Sequence, residues 1–361
     1  MATRIRLLIV SDAWHPQLNG VVRTLDNLAF ELRALGHDVA FVTPDLFTTL
    51  PCPTYPEIRL ALRPARRIAA LIEDFAPTAI HIATEGPLGL AARRYCRKHR
   101  FPFTTSFHTR FPDYVAARFG LPARWFYALL RGFHDAAART LVATPNLRDE
   151  MAARGFRNLA LWGRGVDIAL FRPRDKGFLD LPRPIFLCVS RIAVEKNLPA
   201  FLSLDLPGTK LVVGGGPGLG AMRRRFPDVV FVGPKEGDEL ARYYAAADVF
   251  VFPSRTDTFG NVILESLASG VPVAAFPVTG PRDVIGDAAV GALDEDLRTA
   301  ALRALTVSPA DCRAFACKQS WRASAEQFLA AIVPFNTPFE RHPRPQRPFP
   351  LARSVCGEAR D

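Results

Sequence analysis

The chain has 361 residues, 49% of them hydrophobic, and carries a formal charge of +11. That length exceeds the size at which a single hydrophobic core stops growing, so two domains are expected. No apolar run reaches the roughly 18 to 20 residues that span a bilayer, and the start, MATRIRLLIVSDAW, reads as a first strand and not as a secretory leader.

The six cysteines (52, 96, 188, 312, 317 and 356) are scattered, with no CxxC pair and no histidine at zinc spacing. They are expected to be reduced thiols in a cytoplasmic protein. The charge is uneven: residues 1–170 hold 22 Lys and Arg against 14 acids, whereas residues 171–333 hold 19 against 18. Basic clusters recur in the first half: Arg63, Arg66 and Arg67; Arg93, Arg94, Arg97, Lys98 and Arg100; Arg118, Arg124 and Arg131. Such asymmetry suggests a polyanionic partner, either an anionic membrane face or nucleic acid, with an Arg-rich solvated surface as the plain alternative.

Strand-like runs in the first half are 5–10, 38–43, 79–83, 101–107, 140–145 and 158–162, with helical stretches near 22–35, 66–75, 87–99, 122–138 and 146–154. Strands that are apolar throughout and joined by helices indicate a parallel sheet covered on both faces. Residues 167–184 are proline-rich and charged and read as the interdomain connection. A second alternation follows, with strands at 185–190, 210–215, 229–233, 249–254 and 271–276 and helices including 236–247 and 262–269. A helical stretch from about 310 to 332 closes the ordered part, and the Pro- and Arg-rich tail from Pro334 is expected to be disordered.

Ligands on such sheets sit at the carboxyl ends of the strands. In PSRTDTFGNVILESLASGVPVAAF (253–276), a polar turn precedes a helix, with Asp257 before it and Glu265 inside it. The amides at Thr258 to Asn261 and the helix dipole suit an anion, and the two acids suit sugar or ribose hydroxyls. A capped helix with a solvated Glu265 is the plain alternative. Ser190 to Asn197 (SRIAVEKN) offers Arg191 and Lys196 to a diphosphate, with Glu195 to orient them. Gly214-Gly215-Gly216-Pro217 ends the next strand as an uncluttered floor or a plain turn. In the first half, Asn19-Gly20-Val21 lets the backbone approach a ligand, His108 ends the strand before it at the binding edge, and Glu85-Gly86 holds a similar position.

The motifs NGVVRT (19–24), TEGPLG (84–89), TSFHTRFPDY (105–114), GRGVDIALFRP (163–173), VSRIAVEKN (189–197), VGGGPG (213–218) and SRTDTFGNVILESLASGVPVAA (254–275) together resemble retaining glycosyltransferases of family 4. The chain is similar to GDP-mannose-dependent α-mannosyltransferases and to glycolipid synthases that use UDP-sugars. The resemblance covers about residues 5–332 and implies an α/β GT-B fold: two Rossmann-like domains facing across a cleft. The implied boundaries are an acceptor domain at 1–168, a linker at 169–184, a donor domain at 185–309, a C-terminal helix at 310–333 packing back on the first domain, and the tail at 334–361.

The resemblance further implies that Arg191 and Lys196 bind the donor diphosphate. Asp257 and Glu265 match the two acids of an EX7E motif, touching the sugar hydroxyls and the ribose. Amides of Phe259, Gly260 and Asn261 complete the cradle, Gly20 and Gly215 approach the donor, and His108 lines the reacting centre. The first acid is Asp where the family usually has Glu, which leaves the hexose open between mannose and glucose types. Members of this fold commonly need no bound metal or other cofactor, and no Asp-x-Asp metal site is read here. The implied reaction moves a hexose with retention, from GDP-mannose or a UDP-hexose, to a lipid-linked acceptor. The protein is expected to be cytoplasmic and peripheral on the inner membrane face, with no nucleic-acid partner. A soluble acceptor, a non-catalytic sugar-nucleotide or nucleic-acid binder and a same-fold epimerase are the competing readings.

Overall fold

The computed structural model describes residues 4–336 apart from 16, 18–19, 53–54 and 114–121, and only the backbone of 55–57. Asn19, Tyr114, Arg118 and the tail beyond 336 therefore lie outside the described residues. The chain divides into two compact units: residues 1–108, 124–163 and 324–361 form one, and residues 109–123 and 164–323 form the other.

The first unit runs β1 (Arg6–Val10), α1 (Gly20–Ala34), β2 (Asp38–Val42), β3 (Thr49–Cys52), β4 (Tyr55–Ala61), α2 (Ala65–Phe75), β5 (Ala79–Ile82) and α3 (Pro87–His99). It continues with β6 (Thr104–Phe107), α4 (Ala123–His134), β7 (Arg139–Val142), α5 (Pro145–Ala153) and β8 (Leu159–Leu161). Six strands make a parallel sheet in the order β2-β1-β5-β6-β7-β8. Alternate residues of β1 explain its unbroken apolarity: Leu7 and Ile9 join one core with α1, while Leu8 and Val10 join another with α2 and α3. Both faces are covered, so neither set of side chains can be polar. The antiparallel hairpin β3–β4 was not expected from the sequence; its prolines obscure the alternation that marks a strand.

The second unit runs β9 (Ile185–Val189), α6 (Leu198–Leu202), β10 (Thr209–Val213), α7 (Leu219–Arg225), β11 (Val230–Gly233), α8 (Gly237–Ala246) and β12 (Val249–Phe252). After these come α9 (Asn261–Ala268), β13 (Val273–Ala275), α10 (Pro281–Ile285), β14 (Gly291–Leu293), α11 (Leu297–Ala304) and α12 (Pro309–Ala316); the last helix, α13 (Trp321–Ala331), belongs to the first unit from Ser324 onward. Its parallel sheet has the order β11-β10-β9-β12-β13-β14. The segment expected as a connection is packed down: Phe171 is buried, and Phe178, Leu179 and Leu181 lie against the second-unit core.

The single helix expected over 310–332 is two helices. Residues 317–320 break it, and Ser320 Oγ accepts from the Ala323 amide as a new N-cap. From Ser324 onward the chain belongs to the first unit. The buried Trp162 indole donates to Ser324 Oγ at 3.1 Å, Gln327 Oε1 accepts from the Gly163 amide at 2.7 Å, and Arg139 caps the carbonyls of Ala330 and Ala331. Pro334–Asn336, expected as the start of the disordered tail, are in place, and the Phe335 amide donates to the Thr78 carbonyl.

Both sheets reverse strand order once, between β1 and β5 and between β9 and β12. These switch points open a crevice at the strands' carboxyl ends. At the opposite end of the second sheet, Asp248 locks β12 to β9. Its Oδ2 accepts from the Ile185 amide at 2.8 Å, and Oδ1 accepts from Lys176 at 2.8 Å and Arg183 at 2.9 Å. Burial raises the Asp248 carboxyl, but the hydrogen bonds from Lys176, Ile185 and Arg183 outweigh it and hold the group below 3.8.

A folded-state value below the unfolded one means the carboxylate stabilises the fold above 3.8 and loses that contribution as pH falls through the lower value. Thermal melts of Asp248→Asn should show a deficit of about 1 to 2 kcal/mol at neutral pH. The deficit should narrow as the pH is taken below the ordinary aspartate range.

Candidate active site

The loops leaving β9 and β12 carry the expected phosphate and sugar ligands, and the structure joins them. Lys196 Nζ donates to Asp257 Oδ1 at 2.5 Å, with side chains only 21% and 14% exposed. Asn197, in the left-handed region at φ +51, donates from Nδ2 to the Pro253 carbonyl at 3.1 Å. The hydroxyls of Ser254 and Thr256 donate to the Glu195 carbonyl. Arg191 is held within its own loop by Glu195, whose side chain is only 6% exposed. Asp257 Oδ2 is buried and accepts no hydrogen bond. A buried carboxylate oxygen without a donor is costly.

In the turn after β12, Gly260 is the N-cap of α9 at φ +85 and offers no side chain as a cap. Glu265 is not the solvated helix residue of the plain alternative. It is 6% exposed, and Tyr244, which is fully buried on α8, donates its hydroxyl to Oε2 at 2.9 Å. The Phe259 ring packs on the second-unit core, so its contribution to a ligand falls to its backbone, as it does for Gly260. The amides of Phe259 to Asn261 open α9, where the positive end of the helix lies.

Beneath this lies Cys188 on β9. Burial pushes its thiol up to about 12, which makes it a packing group and not a nucleophile. The glycine loop after β10 braces the Arg191 loop from behind: the Ile192 amide donates to the Gly215 carbonyl at 2.8 Å, and the Gly218 amide donates to the Ile192 carbonyl at 3.0 Å. A Cβ on Gly214, at φ +144, would sit 1.9 Å from the Ser190 carbonyl oxygen, whereas one on Gly215 would meet only Pro234 at ordinary contact distance, 3.5 Å.

Gly20 and His108 belong to the first unit. Gly20 opens α1, and Thr24 Oγ1 donates to its carbonyl at 2.7 Å. His108 follows β6 with its ring edge-on to Trp162, 5.7 Å between centroids. The other eight candidates lie in the second unit.

Three first-unit contacts were not expected from the sequence, although Glu85 itself was read there as a residue at the binding edge. Asp12, at the β1–β5 switch point, accepts from the Leu88 and Gly89 amides and from Thr84 Oγ1, capping α3 from 76 residues away. Burial holds its carboxyl above its usual range against those bonds. Glu85 pairs with the buried His134 at 3.1 Å, and His134 reaches Thr105 on its other nitrogen. His15 pairs with Asp26 at 2.8 Å. No local pattern marks these contacts, because every partner comes from another element.

The Asp-x-Asp spacing does occur once, at Asp294 and Asp296. Asp296 caps α11 by accepting from the Arg298 and Thr299 amides, and Asp294 accepts from the Asp296 amide. Among the described residues no group of three or more His, Cys, Asp or Glu is placed to hold a metal ion.

The glycine loop yields a paired expectation. Gly214→Ala should lower stability by about 2 to 3 kcal/mol in urea unfolding, through the disallowed φ and the carbonyl clash. Gly215→Ala should melt close to the parent.

Residues 18–170 match the family model described as Glycosyltransferase Family 4, and residues 183–316 match Glycosyl transferases group 1. Over 308 residues the chain is 30% identical to a GDP-mannose-dependent alpha-mannosyltransferase of Mycobacterium tuberculosis, covering 78% of this chain and 81% of that one. An alpha-monoglucosyldiacylglycerol synthase of Streptococcus pneumoniae is 28% identical, with 92% of this chain and 85% of that one covered. Among solved structures, a sucrose-phosphate synthase from Thermosynechococcus elongatus superposes with a TM-score of 0.72 at 22% identity, over 91% of this chain and 98% of that one, a likeness of fold. The chain therefore belongs to the family 4 glycosyltransferases and has their GT-B fold, built on two parallel six-stranded sheets.

Proposed function

We propose that the protein transfers a hexose of mannose or glucose type from a nucleotide-diphosphate sugar to a lipid-linked acceptor at the inner face of the membrane, with retention at the anomeric carbon. The observation that carries the donor half is the Lys196–Asp257 contact, with the second carboxylate oxygen of Asp257 buried and lacking a donor. A sugar hydroxyl supplies that donor. The acceptor half is supported by the likeness to a monoglucosyldiacylglycerol synthase. GDP-mannose and a UDP-hexose are the donors considered, the first because a relative is named for it.

In this reading Lys196, as a point charge, and Arg191, through its planar fork, hold the diphosphate and stabilise the negative charge that grows on it as the glycosidic C–O bond breaks. Amides of Phe259, Gly260 and Asn261 take further phosphate oxygens at the start of α9. Asp257 orients the sugar, and Glu265, steadied by Tyr244, accepts from the ribose. Gly20 and Gly215 leave room for the donor, and His108 borders the reacting carbon. The acceptor hydroxyl attacks from the face the diphosphate is leaving. The departing phosphate oxygen takes the hydroxyl proton as the new C–O bond forms. The two cations provide the charge that a metal supplies elsewhere, so no bound metal or cofactor is invoked.

The test is transfer of radiolabelled hexose to lipid extract, with donors compared first by thermal shift across GDP-, UDP- and ADP-sugars. Lys196→Ala should lower kcat by about 10²- to 10³-fold, equivalent to roughly 3 to 4 kcal/mol of lost charge stabilisation. Proton NMR of the product should show the donor's anomeric configuration. A Lys196→Ala protein with the parent's kcat, or a parent that binds no sugar nucleotide, would end this reading.

A further inference from the structure

We infer that the outer face of α3 and α4 in the first unit is a docking surface for an anionic lipid bilayer, with Trp125 and Leu129 entering the headgroup boundary. The surface is a property of this unit alone, separate from sugar transfer. The two helices lie on the same side of the sheet: Leu88, Ala92, Tyr95 and Cys96 of α3 and Phe133 of α4 share one core cluster. Arg93 also ties them, donating to the carbonyls of Gly132 and Phe133 at 2.7 and 3.0 Å.

The outward face of α4 is not wholly polar. Tyr127, Leu130 and Phe133 face inward, yet Trp125 and Leu129, one turn apart, are 60% and 71% exposed. Single exposed apolar residues are ordinary, but here two large ones stand together. Arg124 and Arg131 bracket them on the helix. On α3, Leu90 is 52% exposed, and Arg94, Arg97 and Lys98 follow it on the exposed surface. Neither helix contains an acid.

Cations with an indole and aliphatic side chains between them match an anionic interface, where the headgroups take the charge and the acyl boundary takes the apolar bodies. Duplex nucleic acid would use the cations and the indole but has no place for Leu129. Hence the assignment is to lipid. Exposed clusters also occur on α7, where Arg223, Arg224 and Arg225 are exposed but no large apolar side chain accompanies them.

Co-sedimentation of the full chain with vesicles, in the absence of any sugar nucleotide, tests this surface independently of the transfer reaction. The parent should bind equimolar phosphatidylcholine–phosphatidylglycerol vesicles, bind pure phosphatidylcholine far less, and lose binding as salt rises. Arg94→Gln/Arg97→Gln/Lys98→Gln should weaken partitioning about a hundredfold, near fivefold per cation. Trp125→Ser/Leu129→Ser should weaken it at least about tenfold, with melts confirming that both variants fold. Arg223→Gln/Arg224→Gln/Arg225→Gln should bind as the parent does.

Equal loss in the α7 variant would reduce the effect to net charge and overturn the proposal. Unchanged vesicle binding by Trp125→Ser/Leu129→Ser would overturn it too, as would a parent dimer that this variant dissolves, which would make the occupant a second copy. Tight duplex binding lost on changing the same residues, with no vesicle binding, would equally reject it.

Discussion

The contact that ties together the two ligand-facing loops of the second unit is the one between Lys196 and Asp257, two ions from loops 61 residues apart held at 2.5 Å. Lys196 ends a single 3-10 turn, Val194–Lys196, and Asp257 lies in an irregular loop. Each loop is aimed by the other: Asn197 reaches the Pro253 carbonyl, and Ser254 and Thr256 reach the Glu195 carbonyl. Adjacent strands β9 and β12 bring the loops together, and the reversal of strand order between them leaves the space above unfilled. A mostly buried ion pair is weak support for stability in itself, since desolvation of both ions offsets much of their attraction. Its value here is positional: it fixes a cation and a hydrogen-bond acceptor side by side, with one carboxylate oxygen still lacking a donor.

The same site shows how packing decides which groups are reactive. Cys188 lies directly below and is electrostatically coupled to Lys196 and Asp257, yet burial keeps its proton on. Glu265 is as buried as many core residues but has Tyr244 as a donor. The first unit places ionisable groups differently. Asp12 and Glu85 sit by the β1–β5 switch point, one capping α3 and the other paired with His134. The positive charge of that unit is carried outward on α2, α3 and α4, where water and counterions stabilise it.

Much of the molecule was legible from the order of residues. The parallel strands were, because β1, β5, β9 and β12 are buried on both faces and therefore almost wholly apolar, the exceptions being Arg6 at the start of β1 and the hydrogen-bonded His81 of β5. Arg191, Lys196 and Asp257 were legible as candidates because they lie in the loops that follow such strands, at the binding edge, and Glu265 was legible by its spacing from Asp257. The hairpin β3–β4 and β14 were not: one is broken up by prolines, and the other, Gly291-Ala292-Leu293, has neither a β-branched nor an aromatic residue. The break between α12 and α13 also escaped, since no Gly or Pro marks it, only Ser320 acting as a cap.

By itself, then, the sequence determined the two alternations of strand and helix, the family, and the loops from which a ligand would be met. These follow from periodicity and from short stretches whose chemistry is local. Tertiary structure alone decided which partners those residues have: that Lys196 meets Asp257, that Glu265 is buried against Tyr244, that a Cβ would strike the Ser190 carbonyl at Gly214 but meet only ordinary contact at Gly215, and that Asp12 caps a helix 76 residues away. Each is a contact between elements distant along the chain. Its energy depends on separation in space and on exclusion of water, and neither quantity is written in the spacing of residues.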